Sequence, residues 1–454
     1  MILKNLIYIL QSENYDCKRF LNFAYTHPLW WQLEKRQKIV WTTKASVLWI
    51  ITVMLFWGVF IMPLYIYALQ WLFILPILII ILPIILCMAL FVMKPCDTLV
   101  KYARKNKAKR IIARSNLITI GITGSYGKTS TKEILSTILA EKYTVLKTPE
   151  NINTDIGIAD FIIKNKDALA KYDVFVIEMG AHHTGEIATI CHIVQPQYSI
   201  LTGINQSHIE RFGSIEKITQ TKFELPQNTS GLSVLNIDDA IIKQNVQRFS
   251  LKNTLTVSLT EAQNICAKEN FGGWNFSWHG TPFHTILLAE HNVTLILLCL
   301  HLAQELSLSL EDMQRGVSKI EHIPHRLQPI HNTTTDIMVI DDSYNGNING
   351  IQSGIAVLGR ATGRKVVLTP GLVELGSYAK TVHNTIGELY AKNVDLVLLI
   401  ENTATQYIID SLKKNGFTNY KIYPTTQAAH DDLQNVLRRG DTIIFQNDLT
   451  DNYF

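Results

Sequence analysis

Between residues 45 and 93 the chain has no Asp, Glu, Lys, Arg or His, a gap of 49 residues. An absence that long excludes the amphipathic helices of an ordinary globular surface, which need a polar face. Paired cysteines are also missing. The six, at 17, 87, 96, 191, 266 and 299, share no ligand or disulfide spacing, which excludes a zinc ribbon and points to a reducing compartment. There is no Gly-x-Ser-x-Gly elbow, and no cysteine has the context of a nucleophile. The net charge of +4 is small, and no basic stripe carries interleaved aromatics, so nucleic acid is not an expected partner. Internal repeats and low-complexity tracts are absent.

What is present begins with that apolar run. As helix it would extend about 70 Å at about 1.5 Å per residue, over twice the ~30 Å hydrocarbon core of a bilayer. One span cannot use that length, so the run predicts a transmembrane hairpin of two helices, 45–67 and 71–93, turning near Ala68-Leu69-Gln70. It starts too late and runs too long for a cleaved signal peptide. Lys35, Arg36, Lys38 and Lys44 precede it, and Lys94, Lys101, Arg104, Lys105, Lys107, Lys109 and Arg110 follow it. Positive flanks on both sides place both ends in the cytoplasm, at the inner face of a cell membrane. Residues 1–44 then form a cytoplasmic N-terminal segment, and 94–115 a basic juxtamembrane linker in contact with anionic membrane lipid.

Beyond residue 115, short β-branched runs at 117–122, 173–178, 198–202 and 232–237 alternate with helical stretches, the pattern of a parallel α/β sheet. A second series at 337–340, 365–368, 394–400 and 442–445 predicts a smaller Rossmann-like C-terminal domain. The join falls near Pro324 and Pro329, giving a central domain of 116–325 and a C-terminal domain of 326–454. The first strand leads into Gly121-Ile-Thr-Gly124-Ser-Tyr-Gly127-Lys128-Thr129-Ser130-Thr131, then into a helix former. Strand, glycine loop and helix make a phosphate cradle of backbone N–H groups and a helix N-terminus. Lys128 would reach the outer phosphates of ATP and Thr129 would ligate Mg²⁺. Strict Walker spacing would put Gly at 122, where this chain has Ile.

Further candidate side chains fall at, or follow from, strand ends, where open α/β sheets bind ligands. Glu178 closes an apolar strand and is a candidate metal ligand or a helix cap. His208 follows the next strand beside a glycine turn, and Lys222 lies one helix further on. Asp341-Asp342 end a strand of the second domain, where turn chemistry alone would also favour Asp. Several other histidines, at 182, 183, 192, 279, 284, 301 and 322, have no metal-ligand spacing.

Taken together these motifs resemble the Mur ligase superfamily, and within it the type that adds D-Ala-D-Ala to a UDP-linked muramoyl tripeptide. The matching pieces keep the family's order. They include Gly121–Thr131, Asn151-Ile-Asn153, Glu178-Met-Gly-Ala-His-His-Thr-Gly-Glu186, His208-Ile-Glu-Arg-Phe-Gly213, Lys222, Leu235–Asp239 and Glu290-His-Asn292. Pro324-His-Arg326, Asp341–Asn345 and Val373-Glu-Leu-Gly376 with His383 complete the series.

The resemblance implies ATP-dependent amide formation through an acyl phosphate. Gly124, Gly127, Lys128, Thr129 and Ser130 would hold the phosphates, with Thr129 and Glu178 on one Mg²⁺ and His208 on a second. Lys222 matches the family lysine that is carbamylated into an anionic metal ligand. Asn292 would contact adenine, and Arg326 and Asp342 would bind the nucleotide from the hinge and the C-terminal domain.

The chain also departs from the family. A membrane hairpin stands where the UDP-sugar-binding domain is expected, so the carboxylate substrate could be lipid-linked as well as UDP-linked. Leu295 replaces the second asparagine of the adenine motif, and the Lys-Gly-Ser segment near the C-terminus is missing. Two rivals follow: a carboxyl-activating subunit that receives ammonia from a separate glutaminase, and a nucleotide-binding scaffold with no ligase activity.

Overall fold

The computed structural model describes residues 2–13, 15–26, 41–64, 74–149, 152–344 and 346–446. The turn expected at 68–70, and the motif residues Asn151 and Asn345, lie outside them. The chain divides into two units, Met1–Ala103 and Arg104–Thr450.

In the first unit, helices Ile2–Ser12, Cys17–Thr26 and Thr43–Leu64 pack with the start of the long helix Ile74–Ala113. Leu6, Leu10, Phe20, Leu48, Leu86 and Ala89 form its core. Lys44 and Lys101 both pair with Asp97, at 2.9 and 3.0 Å. Trp49, Ile50, Met54, Met88, Phe91 and Val92 remain exposed. Among the described residues one helix, over Ile81–Ala113, is long and apolar enough to cross a membrane, and the apolar stretch Thr43–Phe56 is shorter.

The second long helix outruns its expected end at 93 by 20 residues and takes in nearly all of the predicted linker. Lys, Arg and Ala make up half of 94–113 and favour helix. The stretch also has a surface to bury. Ala108 and Ile112 enter one core with Leu117, Ile158, Ala159 and Ile162. Several of the basic residues expected at lipid meet protein instead. Arg104 pairs with Asp160 at 3.1 Å, Lys105 pairs with Asp155, and Lys109 reaches His192 at 3.0 Å. Exposed pairs of this kind contribute about 0–1 kcal/mol. Burying an Ile stabilises by about 1.5–3 kcal/mol, so the apolar face holds this helix end in place.

Among its described residues the second unit carries three sheets. The first holds β1 (Ile118–Thr123), β2 (Val145–Lys147), β3 (Val174–Glu178), β4 (Tyr198–Leu201), β5 (Ser233–Asn236) and β6 (Thr254–Val257). Its order is β2-β3-β1-β4-β5-β6 with every pairing parallel. The central strands are buried along nearly their whole length because helices cover both faces. On one side lie Ile134, Leu135 and Ile138 of helix Lys128–Leu139 and the apolar length of helix His291–Glu305. On the other lie helices Asp155–Lys164, Glu186–Val194 and Ile215–Gln227.

An antiparallel sheet follows, of β7 (Gln263–Ala267), β8 (Trp274–Trp278) and β9 (Thr281–Thr285). The third sheet has β10 (Gln328–Asn332), β11 (Ile337–Asp342), β12 (Lys365–Thr369), β13 (Leu396–Ile400), β14 (Tyr420–Tyr423) and β15 (Thr442–Gln446). Its order is β10-β11-β15-β12-β13-β14, parallel except for the β10–β11 hairpin.

Candidate functional site

Strand order explains why residues distant in sequence meet. β1 lies between β3 and β4, so the loop leaving β1 is flanked by the carboxyl ends of both. Gly127 opens the following helix at φ 77°, in the left-handed region that favours glycine. A Cβ there would lie 3.3 Å from Leu295. Lys128 Nζ donates back to the carbonyls of Gly124 at 2.9 Å and Ser125 at 3.4 Å. Tyr126 donates its hydroxyl to Asp239 at 2.8 Å, while Asp239 also accepts the Ile204 N–H at 2.9 Å and caps the helix at Ala240. The loop is thus tied to β4 and β5. Ser130 stands in the first turn of helix Lys128–Leu139.

The end of β3 supplies the acid. Glu178 is buried and accepts from Thr129 Oγ1 at 3.0 Å and Asn153 Nδ2 at 3.3 Å. Lys132, fully buried and one helical turn beyond Lys128, holds its amine 3.5 Å from the same carboxylate and makes no hydrogen bond. Burial opposes ionisation of Glu178, but the charges of Lys128 and Lys132 outweigh it and hold its pKa below the usual carboxylate range. Burial lowers the Lys128 pKa, with Glu178 opposing and Arg326 assisting.

The end of β4 supplies His208, at φ 61°. Its Nδ1 meets Glu374, a residue of the C-terminal domain that also binds Arg211 Nε at 2.6 Å. Burial opposes the charge on Glu374, yet His208 and Arg211 pull its pKa down to about 2. His182 stands edge-on to His208 with ring centroids 5.2 Å apart. Its buried Nδ1 has no hydrogen bond, and burial and the charge of His208 push its pKa down to about 3.

Lys222 is buried on helix Ile215–Gln227, and burial together with Lys128 lowers its pKa to about 7. Glu186 and Glu224 oppose that shift. Both also accept backbone N–H groups around residues 182–188, from His182 at 2.7 Å and Gly185 at 2.6 Å.

From the C-terminal side, Arg326 Nη1 donates to the Tyr344 carbonyl at 2.5 Å and lies over the Tyr344 ring. Its neighbours His325 and Leu327 are both left-handed, at φ 58° and 51°. Asp342, partly buried at the end of β11, has its pKa raised by burial to about 7, with Arg326 opposing the shift. Asn292 is buried at the start of helix His291–Glu305, one turn before the Leu295 that touches the phosphate loop.

The sequence-predicted Lys128, Thr129 and Glu178 are therefore in direct or near contact, and His208, Lys222 and Arg326 bear on the same region. Four participants carried no predicted role. Glu374 and Asp239 lay inside quoted motifs. Lys132 could have been found from its i+4 spacing to Lys128. His182 has no metal-ligand spacing in the sequence, and only the fold brings it to His208.

The donor chemistry fits a hard divalent cation. Thr129 and Glu178 offer oxygen, and Mg²⁺ takes one or two carboxylates plus phosphate oxygens and water. Among the described residues no three His, Cys, Asp or Glu side chains cluster tightly enough to hold a metal by themselves. As an amine, Lys222 offers no such ligand.

A Mur ligase middle-domain profile matches residues 122–303, and the Mur ligase glutamate ligase domain matches 325–446. The UDP-N-acetylmuramoyl-tripeptide–D-alanyl-D-alanine ligase of Escherichia coli is 30% identical over 299 residues, covering 62% of this chain and 64% of its own length. That of Synechocystis is 28% identical over 355 residues, covering 77% and 75%. The chain thus spans somewhat under two thirds of the Escherichia coli relative. The same fold occurs in the MurF ligase of Thermotoga maritima in complex with ADP, with TM-score 0.66 and 24% identity over 77% of this chain and 80% of that one. It occurs too in MurF of Acinetobacter baumannii, with TM-score 0.67 and 24% identity over 77% and 78%. With both domain profiles matching in order and together covering more than half of the sequence, this chain belongs to the Mur ligase family.

Proposed function

We propose that this protein is an ATP-dependent ligase that joins an amine to the carboxylate of a cell-wall precursor. The observation that carries this reading is the convergence of Lys128 and Thr129, at the start of one helix, with Glu178 at the end of β3, while Arg326 of the next domain bears on Lys128. The matched relatives bear the name of a ligase acting on a UDP-linked muramoyl tripeptide and D-alanyl-D-alanine. That substrate pair is the first to test.

The chemistry requires two anions to approach. A substrate carboxylate oxygen attacks the γ-phosphorus of ATP, the bond to the β-phosphate oxygen breaks, and ADP leaves behind an acyl phosphate. The amine nitrogen then attacks the acyl carbon, inorganic phosphate departs, and the nitrogen loses a proton. Divalent cations, when bound, neutralise phosphate charge. Thr129 and Glu178 would hold one such ion and His208 would face a second. Lys128 would lie along the β- and γ-phosphates, and Asn292, Arg326 and Asp342 would bind the nucleoside end. In phosphoryl transfer, positioning and electrostatics supply nearly all of the catalysis.

Lys222 suits carbamylation because its pKa of about 7 leaves much of the amine neutral near pH 7. The neutral nitrogen can bond to CO₂ and release a proton, turning a buried cation into an anionic ligand.

The charge-free run from 45 to 93 supports anchoring at the inner face of a membrane by two helices, with the ligase domains on the cytoplasmic side. A precursor held on a lipid carrier would then be within reach. ADP release by the full-length protein in detergent tests the reading. It should require both a carboxylate and an amine, with UDP-linked and lipid-linked muramoyl peptides compared side by side. Nucleotide binding without ADP release for any pair would sink it. Membrane fractionation and protease protection test the anchoring, and recovery of the chain in the soluble fraction would contradict it.

A further inference from the structure

The loop after β12 is braced from below before it reaches the middle domain. Gly371 turns at φ 82°, and a Cβ there would lie 2.9 Å from His383 Nε2. His383 is buried, accepts the Leu372 N–H on Nε2 at 3.0 Å, and bonds the Ala379 carbonyl through Nδ1 at 2.7 Å. A carbonyl can only accept, so Nδ1 carries the proton and the ring is a neutral strut. Three residues beyond Gly371, Glu374 sits at φ 59°. A non-glycine residue held there is strained and persists only when its surroundings impose it. The imposing contacts are interdomain. One carboxylate oxygen of Glu374 meets His208 Nδ1, the other binds Arg211, and the Glu374 carbonyl accepts the Glu210 N–H at 3.3 Å. The Glu374 side chain is 4% exposed, whereas that of His208 is 41% exposed, so the ring keeps an open edge.

We propose that Glu374 is a positioning residue, delivered by the C-terminal domain, which takes the Nδ1–H of His208 and leaves Nε2 as the lone-pair donor toward the second divalent cation. Metal-bound histidines routinely donate their other ring nitrogen to a carboxylate, which fixes both tautomer and orientation. Arg211 occupies the second oxygen of Glu374, so the carboxylate serves the histidine and not the metal. Since donor and acceptor belong to different domains, domain approach assembles this half of the site. An ordinary interdomain ion pair would add stability but leave cation stoichiometry untouched.

The proposal rests on the reading of His208 as a cation ligand, and the test separates the two. Full-length protein in detergent, saturated with a non-hydrolysable ATP analogue, is titrated with Mn²⁺ and followed by electron paramagnetic resonance. The unaltered protein should bind two Mn²⁺ and His208→Ala only one. Glu374→Gln should weaken the second Mn²⁺ about 10–100-fold while the first stays within twofold. Glu374→Asp, which keeps the charge and serves if the Gln variant does not fold, should weaken the second ion by a smaller but measurable factor. Unchanged binding of both ions in whichever variant folds, with one ion lost in His208→Ala, overturns the role of Glu374 alone. Two Mn²⁺ retained by His208→Ala overturns the underlying reading as well.

Discussion

The two halves of the site differ in how much of the molecule each needs. Thr129, Lys132, Asn153 and Glu178 all come from the middle domain and meet at 3.0 to 3.5 Å around one carboxylate. On the other side His208, Arg211 and Glu374 join two domains, and two of the three are non-glycine residues in the left-handed region. The first half follows from strand order within one sheet. The second exists only where the domains meet, and its strain is held in place by the contacts it makes. A site built this way can bind nucleotide before it is competent to react, because closure completes the constellation and excludes water.

The largest expected effect comes from the preformed half. Lys128→Ala should lower ADP release by at least about 100-fold, in line with the loss of one preorganised charge-stabilising donor; activity within tenfold would remove its phosphate role. Next, Lys222→Ala should lower activity severely yet recover part of it when formate or acetate is added, as a diffusible carboxylate replaces the carbamate. No rescue at any concentration would leave Lys222 as a cation only.

A subtler break in the first half is Lys132→Met. Losing a cation 3.5 Å away raises the Glu178 pKa, so the acid limb of kcat/KM against pH should move to higher pH. An unmoved limb would mean Lys132 is merely packed there.

Asp342 gives a stability signature. Its pKa is raised from 3.8 to about 7, so between those values the folded chain holds a proton that the unfolded chain has released. Stability from this group is full below pH 3.8 and falls as pH rises to about 7. Asp342→Asn stays neutral and should flatten that part of the denaturation profile. The smallest effect is expected from Leu295→Asn, which trades an apolar contact with Gly127 for a buried amide. A loss of about 1–3 kcal/mol in unfolding free energy follows if the amide finds no partner, with ATP affinity shifted only a few-fold.

The strand–loop–helix around Gly121–Thr131 and the apolar strands of both domains were legible in the sequence, because β-branched runs and glycine spacing are local signals. The short strands β2, β6 and β14, the hairpin strand β10 and the β7–β9 sheet were not, since three to five half-exposed residues carry little pattern. The same division holds at the site. Glu178 stood out at a strand end, whereas His182 and Glu374 depend on how loops from β3, β4 and β12 meet. The helix past residue 93 was missed for another reason. Its basic residues read as a lipid-facing linker, while Ala108 and Ile112, which decide its fate, are too few to form a stripe.

The central claim is that a substrate carboxylate is activated by phosphoryl transfer in this site. The direct measurement is to label that carboxylate with ¹⁸O and analyse the inorganic phosphate released by the full-length protein with amine present. Label should appear in the phosphate in proportion to amide formed and vanish in Lys128→Ala. Amide formed with unlabelled phosphate, or ADP released without amide, would contradict it.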